Sequence, residues 1–405
     1  MDPWFTDGAY DGSWYQYPKV DPFSLISKPD LIYISHIHPD HYDPIFLRKL
    51  FDRYGDIPII IPDLKNNFLR LRALFDGFNP IPVKEKFIGN TRVVIKPNYT
   101  DSISDIDSAL YIYDGNSKKS FLNLNDCLYR EELVLDFKRT IKMDTNKLDF
   151  LALGYMGAGP YPQTFFEIDD TLSLKSEAEK KKQRFFESYS KFISSFDAEF
   201  NLPFAGEYFL GGQLSKLNDF RGNPDALEVK EFDHRAIILR PGGSVNLISK
   251  EIQDERFEPF DKNELKVYME KISKNKMKYE NDINIHFSDI NFARLLKSAT
   301  KNAYSKLEYE DDYSFIFSIK ENNIIKKRFL CDIQNLTVEE VNDIKDLNIN
   351  YYSEILIDYR YLFGLLTTIY HWDNAAVGSH YSTRRSPQDF YSRAIVNYLN
   401  FFSAV

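Results

Sequence analysis

The chain has 405 residues, of which 43% are hydrophobic and 27% charged, as is typical of a soluble globular protein with one or two domains. A formal net charge of −9 argues against a nucleic-acid backbone as the main partner, because phosphate binding needs a basic surface. Two cysteines, Cys127 and Cys331, are too few for a disulfide framework. The N-terminus does not resemble a signal peptide and no long apolar run predicts a membrane span, so we expect a cytoplasmic protein.

The first part of the chain alternates predicted strands and helices, which is typical of the α/β class. The first strand, at 31–38, is apolar and β-branched and runs into polar residues. In chain order we then predict a helix at 44–54, strands at 59–61, 92–97, 109–113, 120–124 and 148–153, a helix at 174–198, and short strands at 203–210 and 235–239.

The pattern changes near residue 255, where we predict a boundary between a first region, 1–255, and an α+β C-terminal region, 256–405. In chain order the C-terminal region is predicted to contain helices at 262–275 and 289–305, strands at 313–319 and 326–332, a helix at 337–345, a strand at 352–358, and helices at 360–370 and 387–402. Its high aromatic content predicts that it packs on the first region and is not a free module.

The strongest chemical signal follows the first predicted strand and reads Ser35-His36-Ile37-His38-Pro39-Asp40-His41. Imidazole and carboxylate groups suit zinc, iron or manganese, and alternation after a strand turns His36 and His38 to the same side. A tight turn can then bring Asp40 and His41 to a second metal. The alternative is a solvated, histidine-rich loop.

This motif resembles the His-x-His-x-Asp-His signature of metallo-β-lactamase-fold proteins. The resemblance implies an αββα sandwich with a one- or two-metal site at one edge. Asp2-Pro3-Trp4 is similar to an element that ends an early strand in this fold. Asn123-Leu124-Asn125-Asp126-Cys127 is similar to the strand end that carries the family's metal-bridging aspartate, which makes Asp126 the next predicted ligand, with a turn cap as the alternative.

Shorter matches resemble the CMP-N-acetylneuraminate hydroxylase-like and UlaG-like group within that fold. They are Trp4, Gly12-Ser13-Trp14, Pro18, Asp107-Ser108-Ala109-Leu110, Asn125-Asp126-Cys127, Pro203-Phe204-Ala205-Gly206, Arg385-Ser386-Pro387 and Phe390-Tyr391. The resemblance implies two iron ions and dioxygen chemistry on a small polar substrate, similar to an amino or N-acyl sugar and in some cases nucleotide-linked. Because the chain lacks the Cys-x-His and Cys-x-x-His pairs of a Rieske cluster, this interpretation requires an external electron donor or a substrate that supplies all the electrons.

Two histidines that the family usually carries are missing, since no histidine lies between His41 and His234. In chain order, one of these positions falls among Asp101, Asp105 and Asp107. The other falls in 203–208, where Glu207 is the only strong ligand type. We predict that Glu207 reaches the metal directly or through one water, with a surface position or a salt bridge as the alternatives. A carboxylate-rich site favours iron or manganese over zinc.

The sequence therefore predicts a site with two divalent metal ions, and three functions remain open. The predicted metal ligands are His36, His38, Asp40, His41, Asp126 and Glu207, with Asp40 and Asp126 also catalytic. Weaker candidates for substrate contact lie in a polar, aromatic cluster formed by His371-Trp372-Asp373-Asn374, His380, Arg384 and Arg385; the alternative there is a loop with helix caps and salt bridges. The functions are a di-iron oxygenase, a zinc or manganese hydrolase that cleaves a phosphodiester, lactone or amide, and a non-catalytic scaffold with a degenerate site. Homo-oligomerisation also stays open.

Overall fold

Two β-sheets lie face to face in the first region, and their edge positions the histidine motif. The computed structural model describes residues 1–100, 105–157, 159–306, 313–388 and 398–405. In spatial order, the larger sheet contains Phe200–Phe204, Phe150–Gly154, Lys119–Asn123, Ser108–Asp114, Thr91–Pro97 and Glu85–Ile88. The smaller, parallel sheet contains Ile32–Tyr33, Ile59–Pro62 and Ile81–Val83.

Successive side chains of a strand point to opposite sides of the sheet, so the two faces of each sheet pack against different layers. Tyr33 and Ile60 of the smaller sheet pack on Val93, Ile95 and Leu110 of the larger one. The opposite face of the smaller sheet packs on the helices Pro44–Tyr54 and Phe68–Phe75. The opposite face of the larger sheet packs on the helices Glu131–Asp144 and Thr171–Phe196. The layer order is therefore αββα, which confirms the predicted fold class.

Local sequence explains the helix that follows the histidine motif. Asp43 caps Pro44–Tyr54 by accepting a hydrogen bond from the Phe46 backbone N–H, and Pro44 occupies the first turn, where its missing N–H costs nothing. Gly55 ends the helix with a φ of 78°. The same Asp43 carboxylate accepts hydrogen bonds from the backbone of Thr6, so one side chain fixes both the helix start and the N-terminal segment.

The C-terminal region has its own sheet and its own apolar core. In spatial order, its strands are Thr337–Glu340, Ile324–Asp332, Ser314–Glu321, Tyr352–Asp358 and Tyr381–Ser386. Its α-helices are Lys262–Ile272, Phe292–Lys306, Tyr359–Leu366 and Trp372–Val377. Its core begins at Met277, whereas the main core of the first region ends at Ile238, and the boundary near 255 between them stays a prediction.

Short elements connect these layers and bring the two regions into contact. They are the helical turns Ala9–Gly12 and Pro22–Leu25, the strand pairs Trp14–Gln16 with Tyr208–Leu210 and Leu239–Val245 with Ile252–Glu255, and the 3-10 turns Gly212–Phe220, Ala226–Glu231, Lys278–Asn281, Phe287–Asp289 and Ile344–Asp346. The Tyr361 hydroxyl donates to Asp11 at 2.8 Å, and the Tyr268 hydroxyl donates to the Gln16 carbonyl at 2.6 Å. The C-terminal region therefore packs on the first region.

Several predicted elements need correction. The helix predicted at 337–345 is wrong, because Thr337–Glu340 is a strand that pairs with the end of Ile324–Asp332. The strand predicted at 203–210 is two strands, separated where Ala205 adopts a φ of 59°. The strand predicted at 235–239 begins only at Leu239. Most of the helix predicted at 387–402 falls on 389–397, which lies outside the described residues. No helix within the described residues is long and apolar enough to cross a membrane.

Candidate metal centre

The first histidines of the motif lie at the carboxyl end of the smaller sheet. The strand Ile32–Tyr33 continues into a fully buried turn, so His36 has no exposed surface. His36 Nε2 lies 2.9 Å from His38 Nδ1 and 3.9 Å from Asp107 Oδ1. Asp107 immediately precedes the strand Ser108–Asp114 of the larger sheet. The two sheets thus bring two imidazoles and a carboxylate together at one edge.

The second half of the motif forms an adjoining group. His41 Nε2 lies 3.4 Å from Asp126 Oδ2 and 3.5 Å from Asp40 Oδ2. His36, His41 and Asp126 each present one ligand atom, and these atoms lie within 4.8 Å of one another. The structure therefore brings together five of the six predicted ligands: His36, His38, Asp40, His41 and Asp126. It adds Asp107 from the three aspartates considered for a missing histidine.

A buried hydrogen-bond network holds the outward ring nitrogens of His36 and His41, which are the Nδ1 atoms that point away from the carboxylates of the site. The Asp2 carboxylate accepts from the Ser35 backbone N–H and hydroxyl, both at 2.7 Å, and lies 3.1 Å from His41 Nδ1. Ser35 Oγ in turn lies 2.9 Å from His36 Nδ1. The inward nitrogens consequently face the carboxylates and one another, which is the arrangement of metal-ligating histidines. The donor set and its orientation fit a divalent metal.

Two further side chains hold the motif from outside. His38 Nε2 lies 2.8 Å from Asp373 Oδ2, which belongs to the helix Trp372–Val377 of the C-terminal region. The Tyr10 hydroxyl donates to Asp40 Oδ1 at 2.6 Å. Neither contact follows from the motif. The sequence marks Asp373 only weakly, through its place in the polar cluster at 371–374, and it gives no indication that Tyr10 contacts the site.

Burial and charge perturb these groups strongly. Burial lowers the pKa of His38, but the hydrogen bond and charge of Asp373 outweigh it and raise the pKa to about 9. Burial, together with the negative charge of Asp126, raises the pKa of Asp107 to about 7. A cluster in which burial and a neighbouring negative charge oppose ionisation of one carboxyl favours a bound cation, which would stabilise the ionised form.

The other two histidines are shifted in opposite directions. Burial and the neighbouring imidazoles of His41 and His38 hold the pKa of His36 well below its usual value. Burial also lowers the pKa of His41, but the carboxylates of Asp126 and Asp40 outweigh burial and raise it well above its usual value. A metal must therefore displace protons from His38 and His41, which makes its binding pH-dependent.

Glu207 lies in an ion pair rather than among the converging ligand atoms. Its carboxylate accepts from Arg256 at 3.0 Å, and Arg256 also pairs with Asp225 at 2.7 Å. Burial raises the pKa of Glu207 to about 7, although Arg256 opposes that shift. The structure thus shows the salt bridge that was the alternative for Glu207, and metal ligation by this residue stays a prediction.

The substrate candidates near the C-terminus have other partners. His380 Nε2 lies 2.6 Å from the Tyr10 carbonyl, and Arg384 pairs with Glu354 at 3.2 Å and with Glu167 at 2.8 Å. The Arg385 guanidinium lies over the ring of Phe165, 4.9 Å from its centre. A substrate role for these residues stays a prediction. Asp105 accepts hydrogen bonds from Thr100, and Asp101 lies outside the described residues.

A cavity of about 780 Å³ adjoins the metal centre. Asp40, His41 and Glu207 all line it, together with Asn125 and Arg256. Aromatic side chains form much of the remaining wall, among them Trp4, Phe5, Trp14, Phe121, Tyr155, Phe204 and Tyr208. The volume is that of a small-molecule site. Two of the converging ligands, Asp40 and His41, therefore face a space that can admit an organic substrate.

No protein-family model matches the chain. Among curated proteins, the chain is 29% identical over 272 residues to the cytidine monophosphate-N-acetylneuraminic acid hydroxylase of Asterias rubens, covering 63% of this chain and 40% of that protein. It is also 29% identical over 238 residues to a Mycolicibacterium smegmatis protein named as a Rieske 2Fe-2S iron–sulfur protein, covering 55% and 43%. These relatives confirm the predicted resemblance to the hydroxylase group. The chain spans less than half the length of either.

Solved structures give distant matches only. The chain aligns with the metallo-β-lactamase fold protein YhfI of Bacillus subtilis at 14% identity and a TM-score of 0.33, covering 53% of this chain and 76% of that one. It aligns with an isothiocyanate hydrolase from Delia radicum gut bacteria at 14% identity and a TM-score of 0.38, covering 60% and 89%. The fold assignment therefore rests on the layer order of this chain.

Proposed function

We propose that the chain is a metal-dependent oxygenase that holds two iron ions and hydroxylates a small polar substrate. The observation that carries the proposal is the convergence of His36, His38, Asp40, His41 and Asp126, joined by Asp107, at one edge of the sandwich. Three imidazoles with three carboxylates form a harder donor set than the histidine- and cysteine-rich sites of zinc. The curated hydroxylase relatives support the same reaction class.

The residues divide into those that would hold the metals and those that would prepare the site. His36 and His38 with Asp107 would hold one ion, Asp40 and His41 would hold the other, and Asp126, whose carboxylate lies within 4.8 Å of ligand atoms of both His36 and His41, would complete the set. Bound iron at such a site supplies dioxygen chemistry. The Tyr10 hydroxyl fixes one Asp40 oxygen.

The adjoining cavity supports a substrate that resembles an amino or N-acyl sugar, in some cases linked to a nucleotide. Aromatic walls suit the apolar face of a sugar or the plane of a base. Arg240 lines the same cavity and can pair with a carboxylate or phosphate. Hydroxylation uses one oxygen atom of dioxygen and reduces the other to water, so two electrons must come from an external donor or from the substrate.

A hydrolase is the second candidate, and one observation favours it. Cys127 and Cys331 are buried free thiols, and neither belongs to a Cys-x-His pair that could hold a Rieske cluster within this chain. Hydrolysis needs no electrons. Zinc or manganese would then activate water for cleavage of a phosphodiester, lactone or amide.

Elemental analysis of protein purified without added metal separates these functions. We expect close to two iron ions per chain and a visible absorption band. Asp126→Asn should lose at least half of the metal, because it removes the carboxylate between the two groups. The control is Asp136→Asn, an exposed carboxylate that pairs with Lys96 on the surface and should leave metal content unchanged.

The remaining outcomes are equally definite. Colourless protein with zinc or manganese would overturn the oxygenase in favour of the hydrolase. Wild-type protein that holds no metal after supply of iron, manganese or zinc would overturn both, and would leave a non-catalytic scaffold.

A further inference from the structure

One carboxylate outside the histidine motif contacts a candidate ligand directly. Asp373 Oδ2 lies 2.8 Å from His38 Nε2, while His38 Nδ1 faces His36 Nε2 at 2.9 Å. The two ring nitrogens of His38 thus have different surroundings, because Nδ1 faces the neighbouring candidate ligands and Nε2 is held by the Asp373 carboxylate. The backbone N–H of Asp373 donates to His371 Nδ1 at 3.2 Å, whereas its carboxylate is directed at His38.

The helix that carries Asp373 is held firmly in place. Trp372, the residue before it, is buried and donates its indole N–H to the Phe402 carbonyl at 2.7 Å. Ala375, one half-turn further on, is fully buried in the core of the C-terminal region. The Asp373 carboxylate is therefore presented to His38 by a packed element, and its position does not depend on a loop.

A second set of contacts holds the same region against the other half of the motif. His380 Nε2 lies 2.6 Å from the carbonyl of Tyr10, whose hydroxyl reaches Asp40. Tyr10 and Asp11 are consecutive residues with φ values of 52° and 58°, a conformation that non-glycine residues adopt only when their surroundings enforce it. The Tyr361 hydroxyl donates to Asp11, so the C-terminal region contacts this strained turn at both of its residues.

We infer that Asp373 is a positioning residue of the metal centre, and that the C-terminal region is part of the metal-binding machinery. Asp373 fixes the rotation and the protonated nitrogen of His38, so that Nδ1 stays directed at the neighbouring ligand atoms and would be available to a metal. A carboxylate on the far nitrogen of a ligating histidine also makes that ligand more basic. The inference rests on the proposed metal function, because it assigns Asp373 a task only if His38 is a ligand.

The test measures metal affinity without reference to any reaction. Zn²⁺ is titrated into metal-free protein against a competing chelator dye, and the visible spectrum of the Co²⁺-loaded protein reports ligand geometry. Asp373→Asn should weaken Zn²⁺ binding by about 10- to 100-fold, the usual effect of removing such a partner, and should alter the Co²⁺ spectrum. Asp373→Glu should recover part of the affinity, because it restores the charge.

The matched control is Asp358→Asn in the same region. Asp358 caps the helix Tyr359–Leu366 and pairs with Arg360, so its loss affects local stability but not His38. Equal Zn²⁺ affinity in Asp373→Asn and wild type would overturn the inference while leaving the proposed function intact. A wild type that binds neither Zn²⁺ nor Co²⁺ would instead overturn the proposed function.

A double-mutant comparison tests whether Asp373 acts through His38. In a His38→Ala background the substitution Asp373→Asn should cause no further loss of Zn²⁺ affinity, because its target is already gone. A further loss of tenfold or more would show that Asp373 acts independently of His38, and would overturn the positioning role.

Discussion

Replacing Asp2 by asparagine should weaken both the fold and metal binding. The Asp2 carboxylate accepts three hydrogen bonds, from the Ser35 backbone N–H, the Ser35 hydroxyl and His41 Nδ1. Its φ of 41° is tolerated by asparagine, so the substitution changes the charge without adding backbone strain. The amide can keep the bond from the backbone N–H but places an NH₂ group opposite the other two partners.

The expected size of the effect follows from these contacts. A hydrogen bond to a charged group contributes about 1.5–3 kcal/mol, so losing two should lower the free energy of unfolding by roughly 3 kcal/mol. His41 also loses the group that fixes its outward nitrogen, and metal affinity should fall by about tenfold or more. The measurements are urea unfolding in the presence of a chelator, followed by Zn²⁺ competition titration.

The control is Asp7→Asn, five residues along the same segment. Asp7 is half exposed and pairs with Lys19 at the surface, where an ion pair contributes about 0–1 kcal/mol. Its unfolding midpoint and Zn²⁺ affinity should match those of the wild type. If Asp2→Asn behaves like Asp7→Asn in both measurements, the carboxylate does not organise the site and the reasoning is wrong.

Two further predictions concern residues away from the ligands. Burial and the charge of Arg221 lower the pKa of Lys181 to about 7. Between pH 7 and about 10.5, the unfolded chain therefore binds a proton at this lysine that the native chain lacks. The free energy of unfolding should consequently rise with pH across this range. Lys181→Met should abolish that rise when urea unfolding is measured at pH 7, 8.5 and 10. If the free energy of unfolding changes with pH in the same way in Lys181→Met and the wild type, Lys181 is not the cause of the rise. A Cβ added at Gly206 would lie 2.0 Å from the buried ring of Tyr155, so Gly206→Ala should cost about 1–3 kcal/mol in thermal unfolding. Gly159→Ala, which meets no atom within 4 Å, should stay within about 0.5 kcal/mol, and equal melting of the two variants would refute the steric argument.

The inner part of the candidate site was predictable because its signal is local. His36, His38, Asp40 and His41 lie within six residues directly after an apolar strand, and the period of the strand sets their common direction. Asp126 was reached only through the resemblance, since nothing in its own surroundings marks it as a ligand. Its approach to His41 depends on how the larger sheet packs on the smaller one.

The outer part of the site was not predictable, because its contacts join residues that are far apart in sequence. Asp373 reaches His38 through the docking of the C-terminal region, and Tyr10 reaches Asp40 through two residues in a left-handed conformation. No periodicity encodes either contact. Glu207 was selected by its order along the chain alone, and its contact with Arg256 depends on the packing of a distant segment.

Similar limits apply to the fold. The α/β class follows from the alternation of predicted strands and helices, whereas the αββα layer order was implied only by the resemblance of the histidine motif to a known fold. The segment Thr337–Glu340 carries two glutamates and reads as a helix, yet it forms an edge strand because Ile324–Asp332 offers it a partner. Strand preference depends on such neighbours more than on the segment itself.

The contact between His38 and Asp373 joins residues that are 335 positions apart, and this separation sets the order in which the site matures during synthesis. The ribosome delivers the histidine motif early, and the helix that steadies His38 emerges only after most of the chain has been made. A metal ion captured by the nascent motif would therefore exchange readily until the C-terminal region folds against it. Interrupted synthesis would release fragments that contain every residue of the motif but lack the carboxylate that holds His38 Nε2.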